Sequence, residues 1–126
     1  GAGHTVTGHD LVRDEPKQVT ARVRERLLDP GTQAIITTGG TGISTRDGTF
    51  EAIDRLLEKR LDGFGELFRM LSFEEIGAAA MLSRATAGTG GRKAVFALPG
   101  SENAVRLAMT RLVLPELGHV IQQLSK

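Results

Sequence analysis

The residues best equipped for chemistry stand between positions 37 and 47, where Thr37-Thr38-Gly39-Gly40-Thr41-Gly42 is followed by Arg46-Asp47. Gly39, Gly40 and Gly42 lack a Cβ, so the backbone there can take positive φ and turn its N–H groups toward one anion. Thr37, Thr38 and Thr41 add hydroxyl donors, and Asp47 adds a charge that a phosphate by itself would repel. A carboxylate beside a phosphate loop points to a magnesium ion, or to a polar heterocycle with N–H donors. The plainer alternative is a tight strand-to-helix turn with no ligand, and glycine content does not separate the two. No Lys follows Gly42, so the run is not a P-loop, and Gly40-Thr41-Gly42 lacks the third glycine of a dinucleotide fingerprint.

The elements that must position this loop are readable from hydrophobic spacing. Gln33 to Thr38 is apolar and β-branched and reads as the strand that delivers it. Phe50, Ile53, Leu56 and Leu57 then give a helical stripe, with Asp47 just ahead of the helix N-terminus. Upstream, His4 to Val12 is rich in β-branched residues and reads as a strand ending at Arg13-Asp14-Glu15-Pro16, where Asp14 can cap the helix that Pro16 helps to start. Val19, Val23 and Leu27 recur four apart on that helix, which stops near Asp29-Pro30-Gly31.

Downstream, Gly63 to Leu71 opens on paired glycines and continues as an apolar-rich helix. Ser72 and Glu75 make the capping-box pattern S-x-x-E, which predicts a new short helix running toward Leu82. Thr86-Ala87-Gly88-Thr89-Gly90-Gly91 reads as a turn before a strand from Lys93 to Leu98. Pro99-Gly100-Ser101 ends that strand, and Ser101 caps the last helix, whose core face carries Val105, Ala108, Met109 and Leu112. Pro115 interrupts it, and further turns follow through Leu117, Val120, Ile121 and Leu124. This alternation is an α/β order with a parallel sheet. Ligands in such sheets bind outside the carboxyl ends of strands. Thr38 to Gly42, Pro99 to Ser101 and Asp14 each follow a strand, so three loops at one sheet edge could hold a phosphorylated ligand with a metal. A plain N-cap at Asp14 and a plain turn at Pro99-Gly100-Ser101 remain the alternatives.

Composition narrows the function classes. The 126 residues are 40% hydrophobic and 25% charged, which fits one globular domain over 1–126. A net charge of +1, interspersed signs and the absence of Tyr and Trp argue against nucleic-acid binding. With no cysteine there is no disulfide and no thiolate metal site or nucleophile, and His4, His9 and His119 are too scattered to form a ligand set. No apolar run approaches the ~20 residues of a membrane span, and Gly1-Ala2-Gly3-His4 has no signal-peptide character, so the expected location is the cytoplasm.

Taken together, these residues resemble the MoaB/Mog family of molybdenum cofactor biosynthesis proteins. The resemblance rests on Thr37 to Gly42, Arg46-Asp47 with Thr49 and Glu51, and Gly63-Phe64-Gly65-Glu66. It continues through Ser72-Phe73-Glu74-Glu75-Ile76-Gly77, Leu82-Ser83-Arg84 and Phe96-Ala97-Leu98-Pro99-Gly100-Ser101. It covers about Val12 to Leu117, and Phe68 to Glu75 looks like the MoaB branch. The resemblance implies a three-layer α/β/α domain with a mostly parallel sheet that binds molybdopterin. In active members it also implies adenylyl transfer from Mg-ATP with release of pyrophosphate. The family's two acidic pocket positions map onto Asp14 and Asp47, either of which could hold Mg²⁺ while the other accepts pterin N–H donors. Thr38, Gly39, Gly40, Thr41, Gly42, Pro99, Gly100 and Ser101 would bind substrate. A catalytically weak pterin- or nucleotide-binding protein of the same pathway is the alternative function. Gly48 and Phe50 depart from the Val and Pro usual in the family, and the strand-helix unit that precedes Val12 in relatives is absent, so a longer native protein is expected. The family also implies a trimer or hexamer, with Phe64, Leu67, Phe68, Met70 and Leu71 supplying apolar surface.

Overall fold

The structure, a computed structural model, describes residues 4–11, 15–45 and 47–126. Asp14, expected as a cap and a site carboxylate, and Arg46 lie outside the described residues. The elements are α1 (Pro16–Leu28), β1 (Ala34–Thr38), α2 (Thr49–Leu56), β2 (Lys59–Arg60), α3 (Asp62–Ile76) and a 3₁₀ segment, Gly77–Leu82. They continue with β3 (Thr86–Gly90), β4 (Lys93–Leu98), α4 (Glu102–Ala108), a π segment, Met109–Val113, and α5 (Leu114–Leu124). None of the described helices is long and apolar enough to cross a membrane.

The sheet runs β1-β4-β3-β2. β1 and β4 pair in parallel from Ala34 opposite Ala94 to Thr38 opposite Leu98, as the α/β order predicts. β3 and β4 form an antiparallel hairpin, and β2 adds to β3 antiparallel, so the described sheet is mixed, with its parallel part where the loop emerges. β4 is the central organiser because both of its faces are buried. Ala94, Phe96 and Leu98 face one cluster with Phe64 and Phe68 of α3, and with Ala108, Val113 and Leu117. Val95 and Ala97 face the other, with Val19 and Val23 of α1, Ile35 of β1, and Ala52 and Ile53 of α2. This period-two alternation divides the helices into two layers around the sheet. The Phe64 and Phe96 rings meet edge to face at 5.4 Å, a geometry that adds to simple burial.

Four local expectations are corrected. Residues 4–11 form no strand: a β-branched run pairs only where a neighbour supplies ladder partners, and this one instead lies along α1, with the Asp10 carboxylate accepting from Arg26 Nη2 at 2.9 Å. Ser72 does not start a helix. α3 runs through it because Phe68, Leu71 and Ser72 share its buried face, and the helix stops at Gly77, whose φ of +72° suits a residue without Cβ. Thr86–Gly90 is a buried strand rather than a turn, and the turn itself is only Gly91-Arg92. On the last helical stretch Ala104 and Leu107 join Ala108, Met109 and Leu112 at the core, in place of Val105.

That last stretch changes pitch before Pro115. The Leu114 N–H donates to Met109 O, an i→i−5 bond. A proline near a helix start has no N–H to give, and its ring crowds the preceding turn, so widening that turn lets the chain continue as helix. The fully buried positions accordingly step by five there, from Ala108 to Val113, and by four on to Leu117.

Candidate functional site

β1 ends at Thr38, and the next two residues turn sharply, with Gly39 at φ +94° and Gly40 at φ +69°. An L side chain in that conformation would be strained, so glycine is required by the backbone itself. The Gly39 N–H donates to Leu98 O at 2.8 Å, which fixes the start of the loop to the end of β4. Beyond Leu98, the Pro99-Gly100-Ser101 turn approaches so closely that a methyl on Gly100 would lie 3.2 Å from Gly39 Cα. The two predicted binding loops are therefore in backbone contact at one end of the parallel pair. Ser101 caps α4 as expected, its Oγ accepting from the Ala104 N–H at 3.2 Å.

The far side of the loop is closed by the start of α2, where the Phe50 N–H donates to Gly40 O at 3.2 Å. Asp47 folds back over the loop. Its Oδ2 accepts the Ser44 N–H at 3.0 Å, and a methyl at Gly42 would stand 2.6 Å from that same oxygen. Glycine at position 42 is thus what admits the carboxylate. Thr37 contributes differently, since its Oγ1 is buried without a hydrogen-bond partner among the described residues, a polar atom left for a water or ligand to satisfy.

Sequence reasoning for the site did not single out Arg84. Nε donates to Thr41 O at 3.2 Å, Nη2 to Gly42 O at 2.5 Å, and the guanidinium forms a two-pronged ion pair with Glu51. Its backbone N–H also reaches Thr41 O at 3.3 Å, and its guanidinium carbon lies 4.6 Å from the centre of the Phe50 ring. The Arg84 hydrogen bond holds the Glu51 carboxyl below the usual glutamate range, against a smaller opposing effect of burial. Leu82-Ser83-Arg84 was visible as a family-like motif, but the contact spans more than forty residues of chain and no local pattern announces it.

Among the described residues no three Asp, Glu, His or Cys side chains gather to hold a metal ion. An open depression of about 500 Å³ lies elsewhere, against α1, lined by Pro16, Lys17, Thr20, Ala21, Arg24 and Arg55. Its lining has no carboxylate and no glycine turn, whereas the two-loop rim brings the glycine turn, the Asp47 carboxylate and the Pro99-Gly100-Ser101 turn together.

Comparison with known proteins identifies the family. The family model described as "Probable molybdopterin binding domain" matches residues 1–119. Molybdenum cofactor biosynthesis protein B of Bacillus anthracis is 52% identical over 126 residues, 99% of this chain and 75% of its own, and that of Bacillus subtilis is 49% identical over 99% and 74%. A crystal structure of molybdenum cofactor biosynthesis protein B superposes with a TM-score of 0.95 at 51% identity, covering 98% of this chain and 78% of that one. The tungsten cofactor synthesizing protein MoaB of Pyrococcus furiosus follows at 0.84 and 40%, over 93% of this chain and 74% of that one. A three-layer α/β/α fold, paired glycine loops and relatives of this closeness place the chain in the MoaB/Mog family of molybdenum cofactor biosynthesis proteins, on the MoaB side.

Proposed function

We propose that this protein acts in molybdenum cofactor biosynthesis by binding molybdopterin and adenylylating it with Mg-ATP. The observation that supports the reading best is the backbone contact between the Gly39 turn and Gly100, with the Asp47 carboxylate folded over the same loop. Two strand-end loops meeting in this way offer amides to phosphate, and the carboxylate offers a partner for either a cation or a pterin N–H.

In the proposed reaction an oxygen of the pterin's terminal phosphate attacks the α-phosphorus of ATP. The bond to the β-phosphate breaks, pyrophosphate leaves, and a new phosphoanhydride joins AMP to the pterin. No protein nucleophile is consumed, so the chain contributes position and electrostatics. Thr38 to Gly42 would hold phosphate through amides and hydroxyls, and Pro99, Gly100 and Ser101 would form the opposite wall. Asp47, with Asp14, would hold Mg²⁺ and orient the pterin. Magnesium would supply charge neutralisation on the triphosphate.

The protein is further proposed to be cytoplasmic and to assemble as a trimer or hexamer. Leu67, Met70, Phe73 and Ile76 are about half exposed along the outer side of α3, whereas Phe64, Phe68 and Leu71 of the same helix are core. Such a stripe is characteristic of surface covered by another subunit. Sedimentation as a monomer at micromolar concentration would remove that proposal.

The functional test is pyrophosphate release from Mg-ATP in the presence of molybdopterin, comparing the native protein with Asp47→Asn. Release that falls at least a hundredfold in the variant supports the transferase, on the scale of losing one charge-stabilising group. Tight pterin binding with no release from either protein would instead leave a carrier.

A further inference from the structure

Arg84 makes its contacts on the carbonyl side of the glycine loop, and that side determines what the other side shows. Thr41 O accepts from both the Arg84 backbone N–H and Nε, and Gly42 O accepts from Nη2. In a trans peptide the carbonyl and the following N–H point in opposite directions, and every described peptide here is trans. Anchoring the Thr41 and Gly42 carbonyls on Arg84 therefore turns the N–H groups of Gly42 and Ile43 away from it. Neither N–H donates to a protein acceptor among the described residues. Glu51 and Phe50 hold the guanidinium from two further directions, through the ion pair and the ring beneath it. Glu51 also neutralises the cation, so the arginine is occupied in shaping the loop rather than free to meet an anion itself.

We propose that Arg84, fixed by Glu51 and Phe50, is a positioning residue that aims the Gly42 and Ile43 amides at a phosphate group of the bound ligand. The proposal rests on the functional reading above and adds the part that holds its loop in shape. A planar fork serves two adjacent carbonyls and a carboxylate together, which an ammonium group on a flexible stem does not reproduce. Arg84→Lys keeps the charge and removes the fork.

The test follows ¹⁵N-labelled protein by NMR during titration with Mg-ATP and, separately, with inorganic pyrophosphate, for the native chain, Arg84→Lys and Glu51→Gln. Native protein should show shifts centred on the amides of Gly42 and Ile43. Arg84→Lys should weaken binding about tenfold and lose those two shifts, while its melting temperature and the spectrum away from the loop stay near native. Glu51→Gln should show the same pattern with a smaller loss. Native-like affinity with native-like Gly42 and Ile43 shifts in Arg84→Lys overturns the proposal; if that variant does not fold, the same result in Glu51→Gln overturns it. Absence of any response at these amides in the native protein, with either probe, overturns the loop's phosphate role and this proposal with it, and is distinguished by appearing before any substitution.

Discussion

Two runs of this chain are nearly identical in composition, Thr37–Gly42 (TTGGTG) and Thr86–Gly91 (TAGTGG), and they fold into opposite things. The first ends a strand and turns outward, with Gly39 and Gly40 at positive φ and Gly39 facing open space where a side chain would stand. The second is strand β3, buried between β4 and β2. There Gly88 is glycine because a Cβ would collide with Lys59 O and the Leu57 side chain, and only Gly91, in the hairpin turn, has positive φ. At Gly39 and Gly40 glycine supplies a conformation; at Gly88 it supplies room. Substitutions should tell the two uses apart.

The largest expected effect is Gly88→Val. It places side-chain atoms where β2's backbone lies, and overpacking against backbone should cost about 3 kcal/mol, read as a lower urea midpoint with unchanged ligand affinity. Gly39→Ala meets no atoms, so its cost is backbone strain of roughly 1–2 kcal/mol. Its clearer signature should be weaker binding of Mg-ATP. If Gly88→Val left stability intact, or Gly39→Ala left binding intact, the division of roles would fail.

A pH dependence is expected at the first run. Because Arg84 holds the folded Glu51 carboxyl below its ordinary value, the contribution of this pair is complete above the unfolded pKa of about 4.3 and is lost as pH falls through the lower, folded one. With Glu51 partly exposed the effect should stay under about 1 kcal/mol. Hydrogen exchange at the Arg84 backbone N–H, which donates to Thr41 O, should speed up below about pH 4, over and above the intrinsic rate, and Glu51→Gln should abolish that pH dependence while Gly88 stays protected. The smallest effect belongs to the hairpin. Arg92 takes φ +64° next to Gly91 at +55°, a pair that favours Asn or Gly, so Arg92→Asn should raise stability by on the order of 0.5 kcal/mol in a thermal melt. No change or a loss would show that the arginine side chain compensates its strain.

The same contrast explains what could be read from residue order. Around the first run every signal is local: the β-branched strand, the glycine turn, Asp47 and the stripe through Ile53 all lie within twenty residues, and each element forms where expected. The second run misleads because Gly88 is dictated by β2, a strand of two residues with little signature of its own. The capping-box pattern at Ser72 misled for a related reason, since burial of Phe68 and Leu71 on one continuous face outweighs a local start signal. Within the site, the glycines and Asp47 were legible by type. Arg84 was not, because its role depends on a chain crossing that brings the start of β3 under the first glycine run.

The five-residue step from Ala108 to Val113 gives the C-terminal helix one residue of slack. Removing a residue from an α-helix ordinarily rotates everything beyond it by about 100° and turns its apolar stripe out of the core. Here, losing exposed Thr110 would shorten the step to four, and Val113, Leu117 and Leu124 would still face the same cluster. Pro115 would then be the only obstacle, so loss of Thr110 together with Pro115→Ala should still melt cooperatively, whereas loss of Arg106 should not. A helix built this way tolerates a deletion at one place along its length, and the widened turn marks where.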